Sequence, residues 1–191
     1  MATIFTDNFN SYSDGDLNGQ GSWTKVSGLV SVQGTTVKEG AKGVSVSGVA
    51  QYKKTGTSLN DGRLTVYVKS TGTGPAKSQR QLDFFESGTL KFCLGLDVNN
   101  SADWGYYSSG WHMLGYYTAN AWCCWEVEWR SSDHKVRYCL DGGTWTSWVS
   151  PIGSWTSGID GFGIQNYGTD YAYWDYIAEN PIGYTTQCII C

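Results

Sequence analysis

Ala121-Trp-Cys-Cys-Trp-Glu-Val-Glu-Trp-Arg130, then Ser131-Ser-Asp-His134, then Lys135-Val-Arg-Tyr-Cys-Leu-Asp-Gly-Gly143 read as two alternating runs around a polar turn. That pattern predicts a β-hairpin. With Ser131 to His134 as the turn, Arg130 pairs with Lys135. Trp129 then faces Val136, Val127 faces Tyr138, and Trp125 faces Leu140, all on one apolar side. On the other side Glu128 meets Arg137, an opposite-charge cross-strand pair. A slip of one residue would set Glu128 against Val136 and Arg137 against Val127. The register is therefore specified, and a half-buried hairpin in an antiparallel sheet is expected.

Outward from the hairpin the same period recurs. Ile4 to Phe9, Val30 to Val37, Gly43 to Val49 and Arg63 to Lys69 read as strands. Gln81 to Glu86 and Leu90 to Val98 form a second hairpin around Ser87-Gly88. Trp104 to Tyr107 and Trp111 to Tyr117 form an aromatic pair, and Gly158 to Gln165 and Tyr171 to Glu179 close the series. Strands at this spacing point to a sandwich or barrel. Glycine interrupts almost every candidate helix, so little or no helix is expected. One domain over residues 1–180 is expected, with 181–191 as an irregular tail that wraps the domain or contacts another subunit.

Composition narrows the function. The 191 residues carry a net charge of −4, and the longest basic run is Lys53-Lys54. A surface that tracks phosphates, and so a nucleic-acid partner, is not expected. No run of 18 apolar residues occurs, so membrane insertion is not expected either. Met1 to Phe9 lacks the basic and apolar parts of a secretory leader. Either a leader has been removed, or the protein leaves the cell by another route or not at all. An extracellular or virion surface and a cytosolic site of synthesis both fit. Cysteines stand at 93, 123, 124, 139, 188 and 191. They are too sparse for a disulfide scaffold. Mostly reduced, partly buried thiols are expected, with a terminal disulfide or an inter-subunit link as the alternative.

Several segments in order resemble the concanavalin A-like lectin/glucanase superfamily, in its laminin-G-like jelly-roll branch. They are Asp7-Asn-Phe9 with the glycine-rich loop to Trp23, Gly40 to Val46, Trp122 to Trp129 with Lys135 to Gly142, and Ile159 to Ile164 followed by Tyr173 to Ile177. The resemblance spans roughly residues 4–180. It implies an all-β, two-sheet antiparallel sandwich, one sheet concave and one convex, and it implies no single activity. It also implies a structural calcium between the first and last strands. Asp7 and Asp175 would supply carboxylates and Gly40 a carbonyl, the oxygen donors this ion prefers. The alternative is that Asp175 hydrogen-bonds backbone at a sheet edge. A separate calcium-like run, Asp14-Gly-Asp-Leu-Asn-Gly19, has Lys25 where a bidentate acid is needed. A turn explains it better.

Asp103-Trp-Gly-Tyr-Tyr-Ser-Ser-Gly-Trp111 sets rings beside polar groups. Aromatic faces stack on sugar C–H faces while carboxylates bond hydroxyls. Trp104, Tyr106, Tyr107 and Trp111 with Asp103 are thus a candidate carbohydrate platform; core filling is the competing role. Trp145, Trp148 and Trp155 form a second cluster, suited to an end cap or a subunit contact. Catalysis has less to draw on. Glycanases of the superfamily resemble one another in a Glu-x-Asp-x-x-Glu strand, whereas this chain has only Glu126-Val-Glu128. The expected function is a non-catalytic, lectin-like module for surface attachment with a glycan partner, displayed on a virion or other assembled surface. A structural subunit that forms homo-oligomers or decorates a capsid is the alternative, and a glycan-degrading enzyme a third.

Overall fold

The computed structural model describes residues 5–72, 80–97 and 103–180. These form an all-β sandwich of two antiparallel sheets, with no helix among the described residues. In chain order the strands are β1 Phe5–Asp7, β2 Gly15–Asp16, β3 Trp23–Ser27, β4 Val30–Gln33, β5 Gly43–Val46, β6 Ala50–Leu59, β7 Gly62–Ser70 and β8 Arg80–Glu86. Then come β9 Thr89–Asp97, β10 Asp103–Tyr107, β11 Trp111–Gly115, β12 Trp122–Arg130, β13 Lys135–Leu140, β14 Ile159–Asn166 and β15 Ala172–Asn180. The first sheet runs β13-β12-β7-β15-β5-β4-β2, with β1 also paired to β15. The second runs β11-β10-β9-β8-β14-β6-β3. The C-terminal segment 181–191, including Cys188 and Cys191, lies outside the described residues.

The hairpin register is as the residues predict: Arg130 pairs with Lys135, Glu128 with Arg137 and Trp125 with Leu140. β12 is also paired along its other edge to β7. Trp125, Val127 and Trp129 face inward and are fully buried. Trp129 packs on Phe84 and Phe92 of the opposite sheet, at 5.6 and 6.0 Å between ring centroids. Trp125 meets Trp104 and Trp174 edge-on at 4.9 and 5.4 Å. These rings join the two layers, because side chains at alternate positions of each sheet share one core. Gly62 opposes Trp129 in β7, and a Cβ there would lie 2.3 Å from the indole. The glycine is what lets so large a ring sit against the neighbouring backbone.

The other side of the hairpin departs from the expected half-exposed face. Glu126 and Glu128 are only 2% exposed each. Arg63 of β7 bonds Glu126, and Arg137 Nε donates to Glu128 at 2.6 Å. Over them lie Trp145 and Trp148, interleaved with cations. Arg63 stands 5.0 Å from Trp145, Arg137 4.8 Å from both rings, and Arg130 4.0 Å from Trp148. Guanidinium planes stack on indole faces, so the segment after β13 is folded over the sheet and dehydrates the ion pairs.

β3 and β6 are strands that the apolar pattern does not announce. The inward side of β6 carries Tyr52 and then Lys54, a lysine where a hydrophobe is expected. Its ammonium is held by Asp7 Oδ2 at 3.0 Å and by the Gly21 carbonyl. Cys93, Cys123 and Cys139 are free and buried, as expected. Cys124 is the exception among the described cysteines: it is disulfide-bonded.

Glu179 of β15 is the inward residue opposite Leu64. It is buried, and its Oε2 has no hydrogen-bond partner among the described residues. Burial pushes its carboxyl from 4.5 up to about 7. The folded state therefore holds this proton more tightly than the unfolded chain. The contribution from Glu179 is complete below about pH 4.5 and is lost as pH rises through about 7. Glu179→Gln should flatten that part of the stability profile and raise stability at pH 8 by roughly 2–3 kcal/mol, read from urea midpoints. Trp129→Ala should lower stability by about 3–5 kcal/mol with an unchanged urea slope.

Candidate functional site

The inner faces of both sheets are consumed by the core, and the outer face of the first sheet is covered beside its hairpin by Trp145 and Trp148. The outer face of the second sheet is built differently. Leu82 and Phe84 of β8 point inward, so Gln81, Asp83 and Phe85 point outward. Register then sets one row across five strands: Tyr107 on β10, Cys93 on β9, Asp83 on β8, Gly163 on β14 and Lys53 on β6. The next row is Gly105, Gly95, Gln81, Gln165 and Gln51. Large side chains stand at the ends of the first row, and small ones flank the acid at its middle.

Asp83 is the centre. It is 2% exposed. Gln81 Nε2 donates to Oδ1 at 2.6 Å, and Gln51 Nε2 lies 3.5 Å from Oδ2 and 3.4 Å from Gln165 Oε1. Burial pushes the Asp83 carboxyl up to about 6, against the two amides and the Lys53 charge, which favour the ionised form. The Tyr167 phenol, 44% exposed, is raised by burial first and then by the Asp83 charge, and it bonds Gln165. The amides and phenol set around this buried carboxyl are the hydrogen-bonding groups that the face presents to hydroxyls.

At one end Trp111 lies across the two glycines of the second row. A Cβ on Gly95 would be 3.3 Å from its ring, and one on Gly105 3.5 Å. Tyr107 meets it edge-on at 5.7 Å. At the other end Lys53 Nζ stands 4.0 Å over the Phe85 ring. A pocket opens there, lined by Lys53, Thr55, Phe85, Gly88, Asp160 and Gly161 among others.

The expected aromatic platform is divided by the strand period. Tyr107 and Trp111 lie on this outer face, as does Asp103, which is largely buried. Trp104 and Tyr106 point the other way, into the core. Trp104 packs on Trp125, and Tyr106 stacks on Tyr138 at 4.6 Å. The four rings therefore do not share a surface. Asp83, Gln51, Gln81, Gln165 and Lys53 were not singled out in the sequence. Their signal was present as the polar alternates of Gln81 to Glu86, but nothing local marks that side as a site. Of the second aromatic cluster, Trp155 caps the sandwich interior, donating from Nε1 to the Asn60 carbonyl at 3.2 Å.

The residues of the calcium reading are not gathered into one donor set. Asp7 faces inward, where Oδ2 accepts from Tyr12 Oη at 2.8 Å, Trp23 Nε1 at 2.8 Å and Lys54 Nζ at 3.0 Å. Asp175 faces outward, where Oδ2 accepts from the backbone N–H of Lys38 and Glu39 at 2.7 and 2.9 Å. Gly40 abuts the Asn10 side chain, whose Oδ1 accepts from Ala41 and Lys42 N–H. N–H and O–H donors, including an ammonium, occupy the positions a cation would need, so these residues do not fit calcium. In the Asp14 to Gly19 turn, Lys25 is itself a cationic neighbour of Asp16, at 3.6 Å.

No known family profile matches the chain, and no curated protein matches it in sequence. Solved structures match in fold. A sialidase superposes at TM-score 0.73 and 11% identity over 95% of this chain, which spans 19% of that protein. The catalytic domain of a glycoside hydrolase family 131 protein from Coprinopsis cinerea superposes at 0.65 and 15% identity, covering 97% of each chain. The carbohydrate esterase vb_24B_21 of the Shiga toxin-encoding bacteriophage phi24B superposes at 0.63 and 16% identity, over 94% of this chain and 98% of that one. These likenesses establish the β-sandwich; at such identities they transfer no residue roles.

Asp7→Asn should cost about 3–5 kcal/mol in urea unfolding, because it leaves the buried Lys54 ammonium without its counter-charge. Chelator at matched ionic strength should leave the melting temperature unmoved; a native calcium would be exposed by a fall.

Proposed function

We propose that the chain is a lectin-like, non-catalytic glycan-binding module of the concanavalin A-like jelly-roll type, and that its ligand lies along the outer face of the second sheet. The pairing of first and last strands, β1 with β15, suits that topology. The observation that carries the functional reading is the row through Asp83. A ring on a glycine floor, a central acid with three glutamines, and a lysine on a phenylalanine come from six neighbouring strands, with the row from Tyr107 to Lys53 crossing five of them. At about 4.8 Å between strands the row is some 19 Å long, enough for several pyranose rings. Carbohydrate-active proteins among the fold neighbours support a glycan-related role. Attachment to a glycan-bearing surface is the role we propose for it.

An enzyme is the second reading, and one observation favours it: a carboxyl near pKa 6 suits a general acid. Two-carboxylate glycoside hydrolysis needs a partner within about 5–9.5 Å. Asp103, on the same face, is four residues along and two strands across, about 16 Å away by strand geometry. Glu126 and Glu128 are close to each other but held by Arg63 and Arg137 under the tryptophans. Both facts support binding over turnover.

A glycan array tests the reading. Wild type should bind, and Trp111→Ala and Asp83→Ala should each weaken binding by roughly tenfold, about 1.4 kcal/mol, with melting temperatures checked alongside. Silence of the wild-type protein, or full binding by both variants, would overturn the site. Turnover of a bound glycan that Asp83→Asn abolishes while binding persists would favour the enzyme.

A further inference from the structure

We propose that the Lys53 end of this face holds the carboxylate of an acidic sugar, so that the module selects uronate-type glycans over neutral ones; this rests on the glycan-binding reading above. The assignment starts from how the cations are used. Lys25, Lys42, Lys54 and Lys91 each lie within 4 Å of a carboxylate, at 3.6, 3.1, 3.0 and 3.1 Å. Lys38, Lys53, Lys69 and Lys135 have no such partner among the described residues; Lys53 is the one of these that stands in the row, over the Phe85 ring. Ring contact leaves an ammonium's charge in place while fixing where it points. Its nearest row neighbour is Gly163, and beyond that Asp83.

Gly163 is buried between the acid and the lysine, with the Phe85 ring and the stem of Lys53 folded over it. A Cβ there would lie 3.0 Å from the Tyr52 carbonyl and 3.2 Å from Phe85, so the backbone leaves no room for a larger residue. A sugar ring on this part of the face would meet the partly exposed Gln81, Gln51 and Gln165 amides, which Asp83 holds in place from below, and the Lys53 ammonium at the end of the row. Neutral hydroxyls suit the amides, which supply acceptors and donors. A single negative group suits the ammonium. A lysine is a point charge rather than a two-pronged fork, which matches one carboxylate. Asp160, the acid on the pocket wall, accepts the Ser87 N–H at 2.8 Å, so its Oδ2 is already engaged.

The test is calorimetric titration with three probes: a galacturonate oligomer, its methyl ester, and an otherwise uncharged oligosaccharide carrying a single sulfate. Wild type should bind the acid about tenfold more tightly than the ester, with the gap narrowing as salt rises. Lys53→Gln should bind acid and ester alike, Lys53→Arg should keep part of the preference, and Trp111→Ala should weaken both equally. Equal wild-type affinity for acid and ester overturns the inference and leaves glycan binding standing. A preference that survives in Lys53→Gln overturns it too, as does tighter binding of the sulfated probe. Silence toward all three probes overturns it; a silent glycan array as well removes the reading beneath it. If Lys53→Gln fails to fold, the inference is decided by the acid–ester gap in wild type and Lys53→Arg.

Discussion

The register of β12 between β7 and β13 is the constraint on which the molecule depends. It puts Trp125, Val127 and Trp129 in the core and Glu126 and Glu128 on the opposite side. A shift by one residue would exchange the two sets, placing two carboxylates among Phe84, Phe92 and Trp174 and three large hydrophobes under Arg63 and Arg137. Neither side tolerates that exchange, because an unpaired buried charge costs several kcal/mol. The indoles then set the separation of the layers, and the segment carrying Trp145 and Trp148 closes over the ion pairs.

That closure has a consequence for the rest of the surface. The first sheet is thick beside its hairpin, with side chains stacked on both sides of β12. The second sheet keeps an outer face of glycines, amides and one acid. Sheets with one packed face and one solvated face are common in antiparallel architectures. Here the outer face is only partly solvated: Asp83 is buried on it and two glycines are covered by the Trp111 ring, while Gln51, Gln81 and Gln165 stay partly exposed. A face merely meant for water would carry charged side chains that stand free of one another. The interlocked amides instead hold acceptors and donors at set positions, which is what recognition of a hydroxyl-rich ligand asks for.

The interior also carries more polar chemistry than its composition suggests. Lys54 and Asp7 form a buried ion pair with Trp23 and Tyr12 around it. Arg80 is wholly buried and bonds Asn166 and the Asp170 carbonyl. Buried charges persist when their hydrogen bonds are met on several sides. Asp7 is therefore better understood as the counter-ion of Lys54 than as a metal ligand.

The hairpin register, the all-strand class and the free, buried state of three cysteines were legible in the sequence, because each follows from period-two alternation or from local composition. The same alternation separates Trp104 and Tyr106 from Tyr107, but it does not say which side faces the other sheet until the neighbouring strands are known. β6 stayed hidden because its inward lysine reads as polar when its partner, Asp7, is 47 residues away. The site was hidden for the same reason: Lys53, Asp83 and Tyr107 lie on three strands far apart in the chain. Pleating decides which residues share a side of one strand; only the lateral order β10-β9-β8-β14-β6 decides which strands lie side by side, and that order is set by how the two sheets pack.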